Sequence, residues 1–218
     1  MRLLFAAFAL LLIGAAPARD WTAVATRTPA GFFRIGNPAA RVKLVEYASY
    51  TCPHCAAFSN ESAPVLKDRL IRSGQVSLEF RHYLFNALDL GVAVLARCTG
   101  PRRFADTTAF IYRTQGEWLD RAQRFSDGNA NRLNMYPPPA KMRALVDGSG
   151  LTAAIVARGL PESAVDACFA DAAEIDRLSA MTGAAGVTGT PTFFLNGRRL
   201  AGATWAQVAP ELRAAGAR

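Results

Sequence analysis

Histidine and cysteine are both scarce in this chain, with two histidines and four cysteines among 218 residues. Cys52 and Cys55 form the one closely spaced pair, while Cys98 and Cys168 each stand apart. A structural zinc site gathers four cysteine or histidine ligands, usually as two such pairs. This supply argues against a metal, and none is expected. Haem attachment needs a histidine directly after the second cysteine, and Ala56 holds that place. No cofactor is expected. No internal repeat is visible, and after Ile13 no apolar run is long and charge-free enough to span a bilayer. The net charge of +8 is mostly arginine, with nine basic residues against four acidic ones between Arg97 and Arg143. Nucleic-acid modules interleave aromatic residues with such charges on a recognisable fold. That arrangement is missing, so the excess reads as a solvated basic face and no nucleic acid is expected as a partner.

The N-terminus carries a leader pattern. Arg2 precedes an apolar run from Leu3 to Ile13 and the small-residue stretch Gly14-Ala15-Ala16-Pro17-Ala18. The run is too short for a membrane span, and Ala16 and Ala18 fit an A-x-A cleavage site. Residues 1–18 are therefore expected to be a signal peptide, and no cysteine lies nearby to accept a lipid. The exported chain of about 200 residues suits one domain, or a core domain with a sizeable insertion. Its compartment is one where disulfides persist.

Val42 to Tyr50 (VKLVEYASY) reads as a strand, rich in β-branched and aromatic residues without glycine or proline. CPHC then opens a helix expected to run to about Arg72. A second strand follows over Val76 to Tyr83, and a strand-helix-strand unit implies parallel pairing. Between Asn86 and Thr182 the pattern is mostly helical, with candidates over Ala87–Cys98, Arg103–Gln123, Pro139–Val146, Thr152–Ala157 and Glu162–Met181. It is broken at Gly100-Pro101, at the polar stretch Ser126–Asn134 and at Pro137-Pro138-Pro139. Thr192–Leu195 and Arg198–Leu200 flank Asn196-Gly197, a strong hairpin signal because both turn positions favour positive φ. A helix over Trp205–Ala214 closes the chain. The expected fold class is α/β: a thioredoxin-like sheet, 19–85 and 183–218, interrupted by a helical block over 86–182.

Cysteines at i and i+3 on one helical turn are within reach of a disulfide. Pro53 suits the first helical position, which makes Cys52 the cap, facing the amides of His54 and Cys55. The helix dipole and a donating or charged His54 both favour a thiolate there. Cys52 is thus the attacking sulfur and Cys55 the resolving one. A purely structural crosslink would not need this strand-to-helix junction. The second motif is GVTGTPTFFLNG, residues 186–197, where a proline at a strand start cannot be an ordinary ladder residue. A cis Thr190–Pro191 bond would explain it; a plain turn proline is the alternative. Glu46 shares a strand face with Val42, Leu44 and Ala48, where an apolar residue is expected, and buried carboxylates cluster at functional sites. The alternative is a surface residue at a strand end. His82, beside Arg81 at a strand end, reads as structural.

With VEYASYTCPHCAAF and GVTGTPTFFLNG both in place, the chain resembles the DsbA family of exported thiol-disulfide oxidoreductases, a thioredoxin fold with a helical insertion. The resemblance covers roughly Arg41 to the end. It implies that Cys52 forms the mixed disulfide, that Cys55 resolves it, and that Pro191 is the family's cis-proline. It also implies that Thr190 presents backbone to substrate and that Glu46 lies beneath the site, exchanging a proton with Cys55. Implied partners are reduced or unfolded exported proteins and a membrane quinone-linked reoxidant of the DsbB or VKOR type, with the protein in the periplasm. The first reading is a dithiol oxidase. Reductase or isomerase chemistry on the same fold is the alternative, since threonine before the proline is commoner in isomerase relatives. Those usually add an N-terminal dimerisation domain, for which the residues before the first strand leave no room, so a monomer is expected. A third reading is a secreted binding module with two structural disulfides. If Cys52 and Cys55 are the redox pair, Cys98 and Cys168 are left to form a structural disulfide or to stay as two buried thiols.

Overall fold

In the computed structural model, residues 19–182 and 186–218 are described; the expected signal peptide lies outside them. The centre is strand β3 (Val42–Ala48), helix α1 (Pro53–Val65) and strand β4 (Val76–His82), with β3 and β4 parallel and Leu44 opposite Leu78. Val42, Leu44, Glu46 and Ala48 point to one buried face, as the period of two requires. The expected helix to Arg72 forms in two parts. Pro64 lies inside α1, lacks the N–H for its turn, and the chain rewinds into a wider π turn over Leu66–Ile71.

Two strands missing from the sequence reading complete one side of the sheet: β1 (Ala25–Arg27) and β2 (Phe33–Gly36). They are short, and only Phe33 and Ile35 carry the alternation. β5 (Thr192–Leu195) and β6 (Arg198–Arg199) form the expected hairpin, with Asn196 and Gly197 both at positive φ. The strand order is β1-β2-β4-β3-β5-β6. Helix α10 (Trp205–Ala214) closes the chain as expected.

The block between β4 and β5 is helical, though cut differently from the expected pattern. α2 (Ala87–Cys98) matches. The expected Arg103–Gln123 helix is two, α3 (Pro101–Arg113) and α4 (Gln115–Gly128), broken where the Thr114 hydroxyl donates back to the Phe110 carbonyl at 2.9 Å. The polar stretch taken for a break is helical, as the end of α4 and α5 (Ala130–Met135). After α6 (Pro138–Gly148) and α7 (Leu151–Ala157), the expected Glu162–Met181 helix divides into α8 (Glu162–Ala170) and α9 (Ala172–Met181). Asp171 sits between them with its carboxylate capping the Glu174 amide at 3.0 Å.

The block is tied to the sheet by an apolar seam and by one buried ion pair. Phe104 of α3 stacks on Phe33 at 4.3 Å, Phe80 and His82 pack against Phe104, and Tyr112 packs against Phe80. Buried Arg97 donates to Glu174 from Nε at 2.7 Å and to the Gly31 carbonyl at 2.8 Å, joining α2, α9 and the β1–β2 turn. Cys98 and Cys168 form a disulfide between α2 and α8 across 70 residues of chain. Closing a loop of that length removes about 4 kcal/mol of unfolded-state entropy on the chain-entropy model. A Cys98→Ala, Cys168→Ala variant should lose stability of that order in urea unfolding at fixed redox state of the other pair. A loss well under about 1 kcal/mol would show that the block is held by packing alone.

Candidate active site

The chain leaves β3 after Ala48 and turns sharply before α1 begins. Its peptide groups there are buried and need partners. Asp89, fully buried in the first turn of α2, accepts from the Ser49 hydroxyl at 2.5 Å, the Tyr50 amide at 2.9 Å and the Phe85 amide at 3.2 Å. The Tyr112 hydroxyl donates to the Ser49 carbonyl at 3.2 Å. The carboxamide of Gln115, at the start of α4, donates to the carbonyls of Tyr50 at 2.7 Å and Cys52 at 3.0 Å. Asp89, Tyr112 and Gln115 escaped the sequence reading. Asn86 capping the Asp89 amide marks a helix start, but nothing local says that Asp89 reaches back about forty residues.

This seating presents Cys52 as the N-cap of α1 in an extended conformation, with Pro53 at the first helical position. Both Cys52 and Cys55 are free thiols. The antiparallel register of β3 with β5 sets Thr192 opposite Tyr47, which brings Thr190 and Pro191 alongside the start of α1. The Thr190–Pro191 bond is cis, and the Cys52 thiol donates to the Thr190 carbonyl at 3.3 Å.

The two sulfurs are driven in opposite directions. The Cys55 thiol, foremost, then the Thr190 side chain and the backbone amides of Cys55 and His54, hold the Cys52 pKa down to about 5 against the opposing effect of burial. The sulfur closes no short capping hydrogen bond onto the first turn, contrary to the sequence expectation. N–H to sulfur contacts are longer than those to oxygen, and the amides act as oriented dipoles. Cys55 is fully buried. Burial first, then its hydrogen bond with Cys52 and the charge of Glu46, push its pKa far up. His54 contributes its backbone amide to this pull, and its side chain is exposed.

Glu46 is buried at 4 % exposure, which excludes the surface alternative, and its Oε1 has no hydrogen-bond partner. Burial and then the negative charge at Cys52 raise its pKa to about 8. It borders a cavity of about 350 Å3 between α1, α3 and the sheet, walled by Phe58, Leu66, Phe80 and Tyr112. His82 is buried in the aromatic seam, its pKa driven well below the usual value by burial and then by the charge of Arg97. It is a core residue, as expected. Among the described residues no three His, Cys, Asp or Glu side chains converge as metal ligands do.

A sheet with a Cys-x-x-Cys at the start of its first long helix, facing a cis-proline loop, defines a class. The chain belongs to the thioredoxin family, whose model matches residues 28–210. In structure it is similar to a protein-disulfide isomerase from Novosphingobium aromaticivorans, at 32 % identity and a TM-score of 0.76, over 83 % of this chain and 95 % of that one. It shares the fold of Wolbachia pipientis alpha-DsbA1, at 22 % identity and a TM-score of 0.65, over 83 % and 88 % of the two chains. In sequence it is 28 % identical to a Rickettsia prowazekii protein named as a protein-disulfide oxidoreductase, over 75 % of this chain and 53 % of that one. The chain thus spans about half the length of the curated relatives it matches.

Holding the Cys52 carbonyl fixes the cap geometry, and with it the amides that face the sulfur. Gln115→Leu removes the shared carboxamide donor at similar volume, leaving the Tyr50 carbonyl without its partner and the Cys52 carbonyl with the Ala56 amide alone. It should raise the Cys52 pKa above about 5, read by thiolate absorbance at 240 nm across pH, and cost about 1–3 kcal/mol of stability. Lost stability with an unchanged thiolate titration would show that Gln115 only fastens the turn.

Proposed function

We propose that this chain is a thiol-disulfide oxidoreductase of the DsbA type, working in the periplasm as a monomeric dithiol oxidase on reduced exported proteins. The observation that carries the reading is the divergence of the two thiols on one helical turn: Cys52 accessible to the Thr190 loop and held down to about 5, Cys55 buried and held up.

In the oxidised form a substrate thiolate attacks the Cys52 sulfur, forming a mixed disulfide and breaking the Cys52–Cys55 bond. Cys55 leaves as a thiolate that its burial disfavours, and it takes a proton. Glu46, with a pKa of about 8 and a free carboxyl oxygen below the pair, is the donor in this reading. A second substrate thiolate then attacks the substrate sulfur and expels Cys52. Its low pKa makes it the better leaving group and lets it depart without a proton. The substrate loses two electrons as its disulfide forms, and the protein is left as the dithiol. A membrane quinone-linked partner of the DsbB or VKOR type would take those electrons back. Pro191 shapes the loop on which Thr190 offers its carbonyl to the substrate backbone.

Reductase or isomerase work is the second reading, favoured by Thr190 and by the isomerase name of the Novosphingobium structure. The redox equilibrium of the purified protein with glutathione separates the two. Cys52→Ser should abolish oxidation of a reduced dithiol peptide, and Cys55→Ala should accumulate mixed disulfides on non-reducing gels. Retained turnover in Cys52→Ser overturns the redox reading altogether.

Linkage supplies a further check. The Cys52 pKa lies below the ordinary thiol value of 9.0 in the folded state, so ionisation stabilises the folded dithiol. That contribution is complete above the unfolded value and is lost as pH falls through about 5. Burial, the larger cause of the raised Glu46 pKa, acts in both redox forms, and only the smaller effect of the Cys52 charge belongs to the dithiol alone. In the Cys98→Ala, Cys168→Ala background, the dithiol form should melt above the disulfide form at neutral pH and lose that advantage towards about pH 5. A dithiol form that melts lower at neutral pH would favour the reductase.

A further inference from the structure

Small side chains on two neighbouring helices leave open the cavity of about 350 Å3 beside Glu46: Ala63 on α1, and Ala105 and Ala109, one turn apart, on α3. Its inner end is the sheet, where Glu46 is buried and its Oε1 has no hydrogen-bond partner. The buried rings of Phe58, Phe80 and Tyr112 line its walls. Its rim is polar, with Asn60 and Arg113 exposed and Lys67 half-buried. Lys67 pairs with Asp106 at 2.8 Å, while Arg113 has no ion pair among the described residues. No carboxyl other than Glu46 lines the cavity among those residues. One wall is the π turn after Pro64, through Leu66, Lys67 and Ile71. Such wide turns within helices recur at functional sites.

We propose that this cavity is a binding site for a small phenolic acid, an aromatic ring with a hydroxyl at one end and a carboxylate at the other. The unpartnered carboxyl selects the inner end. Burial keeps Glu46 protonated near neutral pH, so the group can donate one hydrogen bond and accept another. A hydroxyl also does both, and it meets a buried polar atom that is costly to leave unpaired. The three rings select a flat apolar body, since aromatic pairs gain from offset and edge contacts. The rim selects the charge: a cation would have to pass Lys67 and Arg113, whereas a carboxylate pairs with them. An aliphatic acid suits the rim but leaves Oε1 unpaired, so it is the weaker ligand. The site stands apart from thiol exchange, because neither Cys52 nor Cys55 lines it.

The probe is para-hydroxyphenylpropionate, titrated by calorimetry into the protein in its Cys52–Cys55 disulfide form. Phenylpropionate and para-ethylphenol, each lacking one polar end, are titrated beside it. The full probe should bind one to one. Without the hydroxyl the affinity should fall about tenfold, as for one lost buried hydrogen bond. Without the carboxylate it should fall only severalfold, as for an exposed ion pair. Glu46→Leu should weaken the full probe about tenfold without weakening phenylpropionate. Arg113→Gln, on the surface, should weaken the full probe severalfold and leave para-ethylphenol unchanged. Ala109→Phe, at a half-exposed position on α3, should close the cavity to all three compounds. If that variant misfolds, amide shifts in 15N spectra of the unaltered protein locate the site, and they should concentrate at residues 59–67 and 105–113. Absence of binding by all three compounds, or shifts centred elsewhere, overturns the site. Equal affinity for the full probe and phenylpropionate overturns the phenolic class, as does a full probe that Glu46→Leu does not weaken. Oxidation of a reduced dithiol peptide, measured separately without the probe, reads thiol exchange independently of these outcomes.

Discussion

The Ser49–Cys52 turn depends on hydrogen bonds that it cannot supply itself. A strand at the middle of a sheet has its peptide groups paired by its neighbours, and those groups lose that pairing once the chain turns away. Left buried and unpaired they would cost more than most single contacts contribute. Asp89, Tyr112 and Gln115 meet them from α2, α3 and α4. The inserted block is therefore part of the redox site's construction, since three of its helices fix where the reactive sulfur stands.

Once the turn is seated, a single helical turn sets the two thiols against each other. Cys52 stands at the end of α1, where unpaired amides and the Thr190 loop meet it. Cys55 faces inward, where, after Cys52, the titratable group that acts on it most strongly is the carboxyl of Glu46. Position along one turn decides between the amide dipoles of the helix end and apolar burial without them, and these push a thiol pKa in opposite directions. The same burial that raises Cys55 raises Glu46, so the acid that could serve it stays protonated near neutral pH.

The block needs its own anchoring to hold that seat. Arg97 bridges Glu174 and the Gly31 carbonyl from a nearly solvent-free position. Such a pair costs desolvation and is retained where geometry supplies several hydrogen bonds at once. The adjacent Cys98–Cys168 bond joins α2 to α8. Both act on α2, whose first turn carries Asp89. Frame and site thus meet on one helix.

What the sequence determined by itself was local or periodic. The Cys-Pro-His-Cys spacing implies its place on a helix end, Asn-Gly implies its hairpin, and Glu46 betrays itself as a carboxylate where the strand period asks for an apolar side chain. Alternation identified β3 and β4 because their runs are long enough to repeat. β1 and β2 escaped because three or four residues hold at most two turns of a period. The breaks at Thr114 and Asp171 escaped because a back-bonding hydroxyl or a capping carboxylate ends a helix without changing its apolar pattern. Only the tertiary structure decided which long-range polar groups meet the turn after β3. Asp89 and Gln115 are ordinary first-turn residues in the sequence, and their roles follow from helices packing over the end of a central strand about forty to sixty-five residues away in the chain. A hydrogen bond of that kind leaves no periodic trace, because its partners are brought together by packing and not by the geometry of either segment.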